Sequence, residues 1–109
     1  MLATIEQVVA EIKVTQGEVT AWIEQRWVRP LEEDGRYLFD EADRARVKLI
    51  SELRGDLEVG EEAMPLVLRL LDQIYFLRRM LGELQTAIKE LPDESRAELE
   101  RLLRNTKDP

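Results

Sequence analysis

Residues 19–39 read VTAWIEQRWVRPLEEDGRYLF and contain the change from helix to hairpin that decides the fold. Val19 and Trp22 have helical spacing, so the stretch begins as a short helix with one apolar face. Pro30 cannot continue that helix, because proline lacks a backbone N–H and clashes with the preceding turn. Beyond it, the Asp-Gly pair at 34–35 separates two short apolar segments. This pattern predicts a tight β-hairpin directly after the helix.

The segment before this stretch predicts another short helix. Thr4 and Gln7 have the spacing of a capping box, and so do Thr15 and Glu18. The second helix is predicted to run to about residue 26, with only a tight turn between it and the first. Two short helices joined in this way are typical of a helix-turn-helix motif, and the hairpin then takes the place of a wing.

The remaining chain predicts three more helices. Asp40 caps a helix over 41–54, a much longer helix covers 61–91 and ends before Pro92, and a short one covers 93–104. We therefore predict an all-α protein. Its winged helix-turn-helix head, with a small β-hairpin wing, occupies residues 1–60. The long C-terminal helix and a short terminal helix that folds back on it occupy residues 61–109.

The long helix carries an apolar stripe. Its members alternate spacings of three and four residues through four heptads, which is the pattern of helices that pair. The small head cannot cover a stripe of this length, so we expect a homodimer; the sequence leaves its parallel or antiparallel arrangement open. The predicted dimerisation residues are Leu70, Ile74, Leu77, Leu81, Leu84 and Ile88.

Composition argues against an enzyme. The chain has no histidine and no cysteine, which removes the commonest general base, thiol nucleophiles and most transition-metal ligand sets. The acidic clusters at 32–34, 40–43 and 61–62 lie at predicted turns and helix starts, where carboxylates cap the backbone. We predict no catalytic residue, metal or cofactor. No apolar run approaches the ~20 residues of a membrane span, no signal peptide is visible, and we expect a cytoplasmic protein.

The charge balance points to a basic partner. The formal net charge is −7, and residues 1–60 hold 8 Lys and Arg against 13 Asp and Glu. Affinity for DNA comes largely from Lys and Arg displacing counterions. Between Gln16 and Gln25, where a DNA-contacting helix is predicted, there is no Lys or Arg. An acidic surface favours a basic protein partner, so nucleic acid is not the expected ligand.

The order of elements and the W-V-R-P motif at 27–30 resemble the N-terminal domain of MerR-type regulators. The segments YLFDEADRARVKLISELRGDLEV (37–59) and VLRLLDQIYFLRRML (67–81) are more similar to the chaperone modulatory protein CbpM family, an offshoot that does not bind DNA. This resemblance covers roughly residues 4–85. It implies a protein that binds the J-domain of a DnaJ/CbpA-like co-chaperone and inhibits its action with the DnaK-type chaperone.

Departures from the DNA-reading pattern agree with that implication. MerR-type readers carry Arg-Tyr-Tyr in the second helix, where this chain has Ala-Trp-Ile at 21–23, and Tyr37 occupies the slot of a wing arginine. The alternative is a MerR-like DNA-binding transcriptional regulator, and a third class is a dimerisation module that serves another protein. Candidate DNA contacts for the alternative are Arg26, Arg29, Arg36, Arg44 and Arg46.

Two sets of partner-binding residues are predicted. On the long helix, off the apolar stripe, acidic and aromatic groups lie close together: Asp72, Tyr75, Phe76 and Glu83. On the head, the second set is Glu18, Glu24 and Glu33. The two tryptophans, Trp22 and Trp27, are predicted to be buried in the head.

Overall fold

The computed structural model describes residues 1–105 and is mostly helical, with one small antiparallel sheet. The last four residues of the predicted second domain, 106–109, lie outside the described part. The elements in chain order are β1 (Ala3–Thr4), α1 (Ile5–Ile12), α2 (Gln16–Glu24), β2 (Leu31–Glu33), β3 (Arg36–Phe39), α3 (Glu41–Arg54), α4 (Met64–Lys89) and α5 (Asp93–Arg104).

The chain forms two compact units, Met1–Leu68 and Arg69–Pro109. The first unit, called the head below, includes the start of α4, because Met64 and Leu68 are buried there. The predicted domain boundary between residues 60 and 61 stays a prediction, since compact units describe packing rather than independent folding. None of the helices in the described part is long and apolar enough to cross a membrane.

Both capping boxes predicted for the first two helices are confirmed. The Thr4 Oγ1 accepts from the Gln7 N–H at 3.3 Å, and the Gln7 Oε1 accepts from the Thr4 N–H at 2.9 Å. Thr15 and Glu18 repeat the reciprocal pair at the start of α2. Because these bonds lie within four residues, they fix each helix start without help from the rest of the chain.

Helix α3 begins with a third capping box, made of two aspartates. The Asp43 N–H donates to Asp40 Oδ1 at 2.7 Å, and the Asp40 N–H donates to Asp43 Oδ2 at 3.1 Å. Helix starts leave their first N–H groups without backbone acceptors, so these carboxylates stabilise the first turn. They also confirm the predicted cap at Asp40 and the predicted helix over 41–54.

Replacing this cap gives a measurable loss. Asp40→Ala removes the acceptor for the first turn of α3, and we expect a loss of about 1 kcal/mol in the free energy of unfolding. Urea unfolding followed by circular dichroism measures the difference. Asp40→Asn is the matched control, because asparagine caps about as well as aspartate. A loss as large in the asparagine variant contradicts the capping role.

The predicted hairpin is confirmed and is joined by one more strand. Strands β2 and β3 pair antiparallel, with Asp34 and Gly35 between them at φ 52° and φ 76°. Two positive φ values in succession are the geometry that favours an Asp-Gly turn. Strand β1 then adds to β3 by pairing Ala3 with Phe39, giving the order β1-β3-β2. The sequence analysis missed β1, because two residues are too few to show a strand pattern.

A single apolar core holds the head together. Its buried residues are Ala3, Val8, Val19, Trp22, Trp27, Val28, Phe39, Val47, Ile50, Leu53, Met64 and Leu68. Both predicted buried tryptophans are confirmed. Helix α2 ends at Glu24, earlier than predicted, because Arg26 adopts a left-handed conformation with φ 64°. The Trp27 N–H then donates back to the Trp22 carbonyl at 2.9 Å, and this turn directs Trp27 into the core.

Candidate functional site

Helix α4 separates its apolar and polar side chains onto different faces after it leaves the head. Each residue of an α-helix turns the chain by roughly 100°, so spacings of three and four keep side chains on one face. The predicted dimerisation residues therefore share one face, called the apolar stripe: Leu70, Ile74, Leu77, Leu81, Leu84 and Ile88.

The apolar stripe is largely open to solvent in the single chain. Ile74 is 43% exposed and Leu81 is 59% exposed, with the other leucines of the stripe between them. Ile88 is half-buried. Contiguous exposed apolar surface of this kind marks a surface that another molecule covers. The stripe is thus available for pairing, while its role in dimerisation stays a prediction.

A second face of α4 brings together the predicted partner set. Phe76 lies one turn after Asp72 and two turns before Glu83, so these three share a face, and Tyr75 lies at its edge. We call these four residues the acidic-aromatic stripe. The two rings are half exposed, Tyr75 at 50% and Phe76 at 51%. The Arg79 guanidinium carbon lies 5.6 Å from the centroid of the Phe76 ring, which is within the range of a cation–π contact.

The three head carboxylates do not form one face. Glu18 Oε1 accepts hydrogen bonds from the N–H and the hydroxyl of Thr15, both at 3.0 Å, so Glu18 serves as a cap. Glu24 follows six residues later on the same helix, which turns it about 120° away from Glu18. Glu33 belongs to β2, opposite Arg36. Of these three carboxylates, Glu24 and Glu33 are exposed and have no capping role.

The candidate DNA-contacting cations have several different roles. Helix α2 carries no Lys or Arg along its length. Arg46 donates from Nε to the Trp27 carbonyl at 2.7 Å, so it ties α3 to the end of the α2 turn. Arg26 occupies the left-handed position after α2, and Arg36 faces Glu33 across the hairpin. Any cationic surface on the head therefore lacks a contribution from α2.

An open cavity of about 250 Å³ lies in the head between the start of α1, the exposed side of α2 and the β2–β3 hairpin. It is lined by Thr4, Ile5, Glu6, Gln16, Thr20, Gly35, Arg36 and Tyr37. Its charged lining groups are the Glu6 carboxylate and the Arg36 guanidinium, whose opposite charges leave no net charge. Within residues 1–105, no three Asp or Glu side chains are grouped closely enough to hold a metal ion.

The whole net charge lies on the head. Residues 1–68 contain 8 Lys and Arg against 15 Asp and Glu, and residues 69–109 contain 8 of each. The head therefore has a formal charge of −7 and the second unit is neutral. Long-range attraction of a cationic partner acts mainly through the head, because the field of the second unit cancels with distance.

The pKa of one carboxyl of the head, that of Asp43, is raised. Partial burial, together with the negative charge of Asp40, raises the pKa of Asp43 above its ordinary value of 3.8, although the Asp40 N–H opposes the change. A raised pKa means that the folded state binds this proton more tightly than the unfolded chain does. Asp43 therefore contributes less to stability at neutral pH than it does below its pKa.

Two contacts within the head were not predicted from the sequence. Met64 and Leu68 lie one turn apart on the first turns of α4 and are buried, on a different side of the helix from the apolar stripe. The i, i+4 spacing of these two residues is a signal that was available. The Arg46–Trp27 bond had no such signal, because its two residues are distant in sequence.

The comparisons with known proteins identify a family. A family model described as MerR HTH family regulatory protein matches residues 3–86, which run from β1 into α4. No curated protein and no solved structure matches the chain significantly. The matched range includes the head from β1 onward and most of α4, so it contains the acidic-aromatic stripe and the apolar stripe apart from Ile88.

Proposed function

The chain belongs to the MerR HTH family of regulatory proteins, and from that membership we propose that it is a non-enzymatic regulator that binds a basic protein rather than DNA. The proposed partner is the J-domain of a DnaJ/CbpA-like co-chaperone. By covering the basic helix of the J-domain, the protein prevents the J-domain from acting with the DnaK-type chaperone. The cytoplasm is the proposed location, since its partners act there.

The observation that carries this proposal is the charge of α2. In a DNA reader this helix meets phosphates and base edges, and direct readout needs two or three well-placed donors. Here the helix has no Lys or Arg, and its carboxylates are the capping Glu18 and the exposed Glu24. Carboxylates there repel a phosphate backbone and attract a cationic helix. The resemblance of residues 37–59 and 67–81 to the CbpM family supports the identity of that cationic partner.

The acidic-aromatic stripe of α4 supplies a second contact surface of suitable chemistry. Asp72 and Glu83 bracket two half-exposed rings, and the Lys and Arg side chains of a basic helix have both a charge and a long apolar stem. Aromatic faces attract such cations even after the partner has lost its water. Both candidate surfaces remain proposals, and each is tested by its own variants.

The apolar stripe has a different proposed occupant, a second copy of the chain. Helix α4 spans 26 residues, so it is about 39 Å long. Six apolar side chains along most of that length form a continuous seam that pairs with an identical seam in a two-fold dimer. Dimer formation leaves the acidic-aromatic stripe accessible, because it lies on another face of the helix.

The test measures binding of a fluorescently labelled J-domain by anisotropy. We expect binding at ~50 mM salt and weakening of at least about tenfold at ~300 mM salt, since the attraction is electrostatic. Glu24→Lys with Glu33→Lys is expected to lower the affinity by at least about tenfold. Phe76→Ala with Tyr75→Ala tests the α4 surface in the same assay. The readout of inhibition is the J-domain-stimulated ATPase activity of the DnaK-type chaperone.

The matched control is Glu94→Lys with Glu100→Lys, two exposed positions of α5. It changes the net charge by the same amount as the head variant and is expected to change the affinity by less than about twofold. Equal weakening by both double variants contradicts a specific acidic surface. Absence of J-domain binding at low salt, combined with a shift of random duplex DNA in a gel, overturns the proposal and favours the DNA-binding alternative.

A further inference from the structure

Gly82 stands in the middle of α4, where the fold itself does not require a glycine. A Cβ added at this position meets no atom within 4 Å, and the residue is exposed. Glycine lowers helix stability relative to alanine, because it loses more backbone freedom on folding. Because glycine has no side chain, an exposed helical glycine leaves room for another backbone to approach the helix closely.

The residues around Gly82 are cationic. Between residues 75 and 89, those within about 60° of Gly82 around the helix axis include three bases and no acid. The exposed members of this surface, called the Gly82 strip, are Tyr75, Arg78, Arg79, Gly82, Gln85, Thr86 and Lys89. Within the part of the chain that the structure describes, neither Arg78 nor Lys89 forms an ion pair.

No side chain projects over the helix backbone at Gly82, in the centre of the strip. The Thr86 Oγ1 donates to the Gly82 carbonyl at 3.0 Å, so this hydroxyl is turned onto the backbone of its own helix. Tyr75 lies two turns before Gly82, with its ring half exposed. The result is a shallow notch with a tyrosine at one end and cations at both ends.

We infer that the Gly82 strip binds an acidic helical segment of a partner protein. The notch admits the ridge of a second helix, the cations meet carboxylates on either side of that ridge, and the Tyr75 ring covers apolar stems. A protein fits better than nucleic acid, because three cations beside the carboxylate of Glu83 give few phosphate contacts. The strip shares Tyr75 with the acidic-aromatic stripe, but its cations are opposite in charge to the carboxylates proposed for the J-domain. Its test uses an acidic peptide in place of the J-domain, so the two proposals can fail separately.

The strip also remains reachable in the proposed dimer. Gly82 lies roughly 120° around the helix axis from the centre of the apolar stripe, so pairing along the stripe leaves Gly82 facing outward. The acidic segment therefore meets an assembled helix pair rather than competing with dimerisation.

The experiment titrates the isotope-labelled full-length protein with a helical peptide of glutamate and alanine at ~50 mM salt, followed by amide chemical shifts. We expect the shifts to concentrate between residues 75 and 89. Gly82→Ala is expected to raise Tm by about 4–8 °C, because alanine favours the helix, while weakening peptide binding at least about threefold. Gly82→Leu, which fills the notch, is expected to weaken binding at least about tenfold.

Charge-reversal variants distinguish binding at the Gly82 strip from general electrostatic attraction. Arg78→Glu with Lys89→Glu is expected to abolish the localised shifts, whereas Arg101→Glu with Arg104→Glu, an equal charge change on α5, preserves them. A parallel titration uses a random duplex oligonucleotide. The inference is overturned if both Gly82 variants bind the peptide like the wild type, if the two reversals act alike, or if only the duplex shifts residues 75–89.

Discussion

Phe39→Ala is expected to lower the free energy of unfolding of the head by about 3–5 kcal/mol, the usual range for truncating a buried phenylalanine. Phe39 has no exposed surface, and its backbone pairs with Ala3 where β1 joins the sheet. It also immediately precedes Asp40, the cap of α3. A cavity at this point therefore weakens the core where the sheet and α3 meet.

This loss is large compared with the stability of a small protein. Small domains have free energies of unfolding near 5–15 kcal/mol, so the variant has little remaining stability. Tryptophan fluorescence during urea unfolding is a suitable probe, because both tryptophans, Trp22 and Trp27, are buried in the head. The signal then reports on the head alone, without a contribution from α5 or the exposed part of α4.

Leu31→Ala is the control for Phe39→Ala. Leu31 belongs to the neighbouring strand β2 and is 53% exposed, so its truncation leaves no closed cavity. We expect it to cost less than about 1 kcal/mol. If both variants shift the unfolding midpoint equally, Phe39 is not the centre of the core.

Leu77→Glu with Leu81→Glu is expected to convert the proposed dimer to a monomer, raising the dissociation constant by at least about 100-fold. The two positions lie next to each other on the apolar stripe and are 58% and 59% exposed in the single chain. In a paired seam they are buried against the second helix, where a carboxylate loses its water without gaining a partner. Sedimentation equilibrium measures the change in mass.

The same variant is expected to leave the head folded. The substituted residues are outside the head core, so tryptophan fluorescence and its urea midpoint stay near the wild-type values. Helicity of α4 falls with the loss of its partner, because most helical stability in proteins comes from packing of an amphipathic face. Circular dichroism at micromolar concentration measures this decrease.

Phe76→Glu is the matched control for the dimer. Phe76 is also large, apolar and half exposed, but it lies on the acidic-aromatic stripe. We expect the dimer mass to persist in this variant. A wild-type protein that stays monomeric at ~100 μM, or a control that dissociates as readily as the double variant, contradicts pairing through the apolar stripe.

Features with local causes were predictable from the sequence. The capping boxes of α1 and α2 each lie within four residues, and the hairpin follows from Asp34-Gly35 between two apolar segments. The helix over 41–54 was predicted with the bounds that the structure gives. In each case the bonds that fix the element join residues close in the chain, so the signal is complete in a short stretch.

Part of the candidate site was equally predictable. The members of the apolar stripe and of the acidic-aromatic stripe share faces because helical periodicity alone sets their directions. The grouping of Glu18, Glu24 and Glu33 was not predictable in this way. In the structure Glu18 forms part of a helix cap, and Glu24 lies on another side of α2. Helix ends and strand placement therefore decide which head carboxylates are available to contact a partner.

The sequence by itself determined the sign of the charge, the absence of cations from α2 and the period of the long helix, because these depend on residue identity and spacing. Only the tertiary structure decided that β1 completes the sheet, that Arg46 bonds to the Trp27 carbonyl and that Met64 and Leu68 anchor α4 in the head. Those contacts join residues far apart in the chain. Their free energy comes from burial and bonds that exist only once the core has formed.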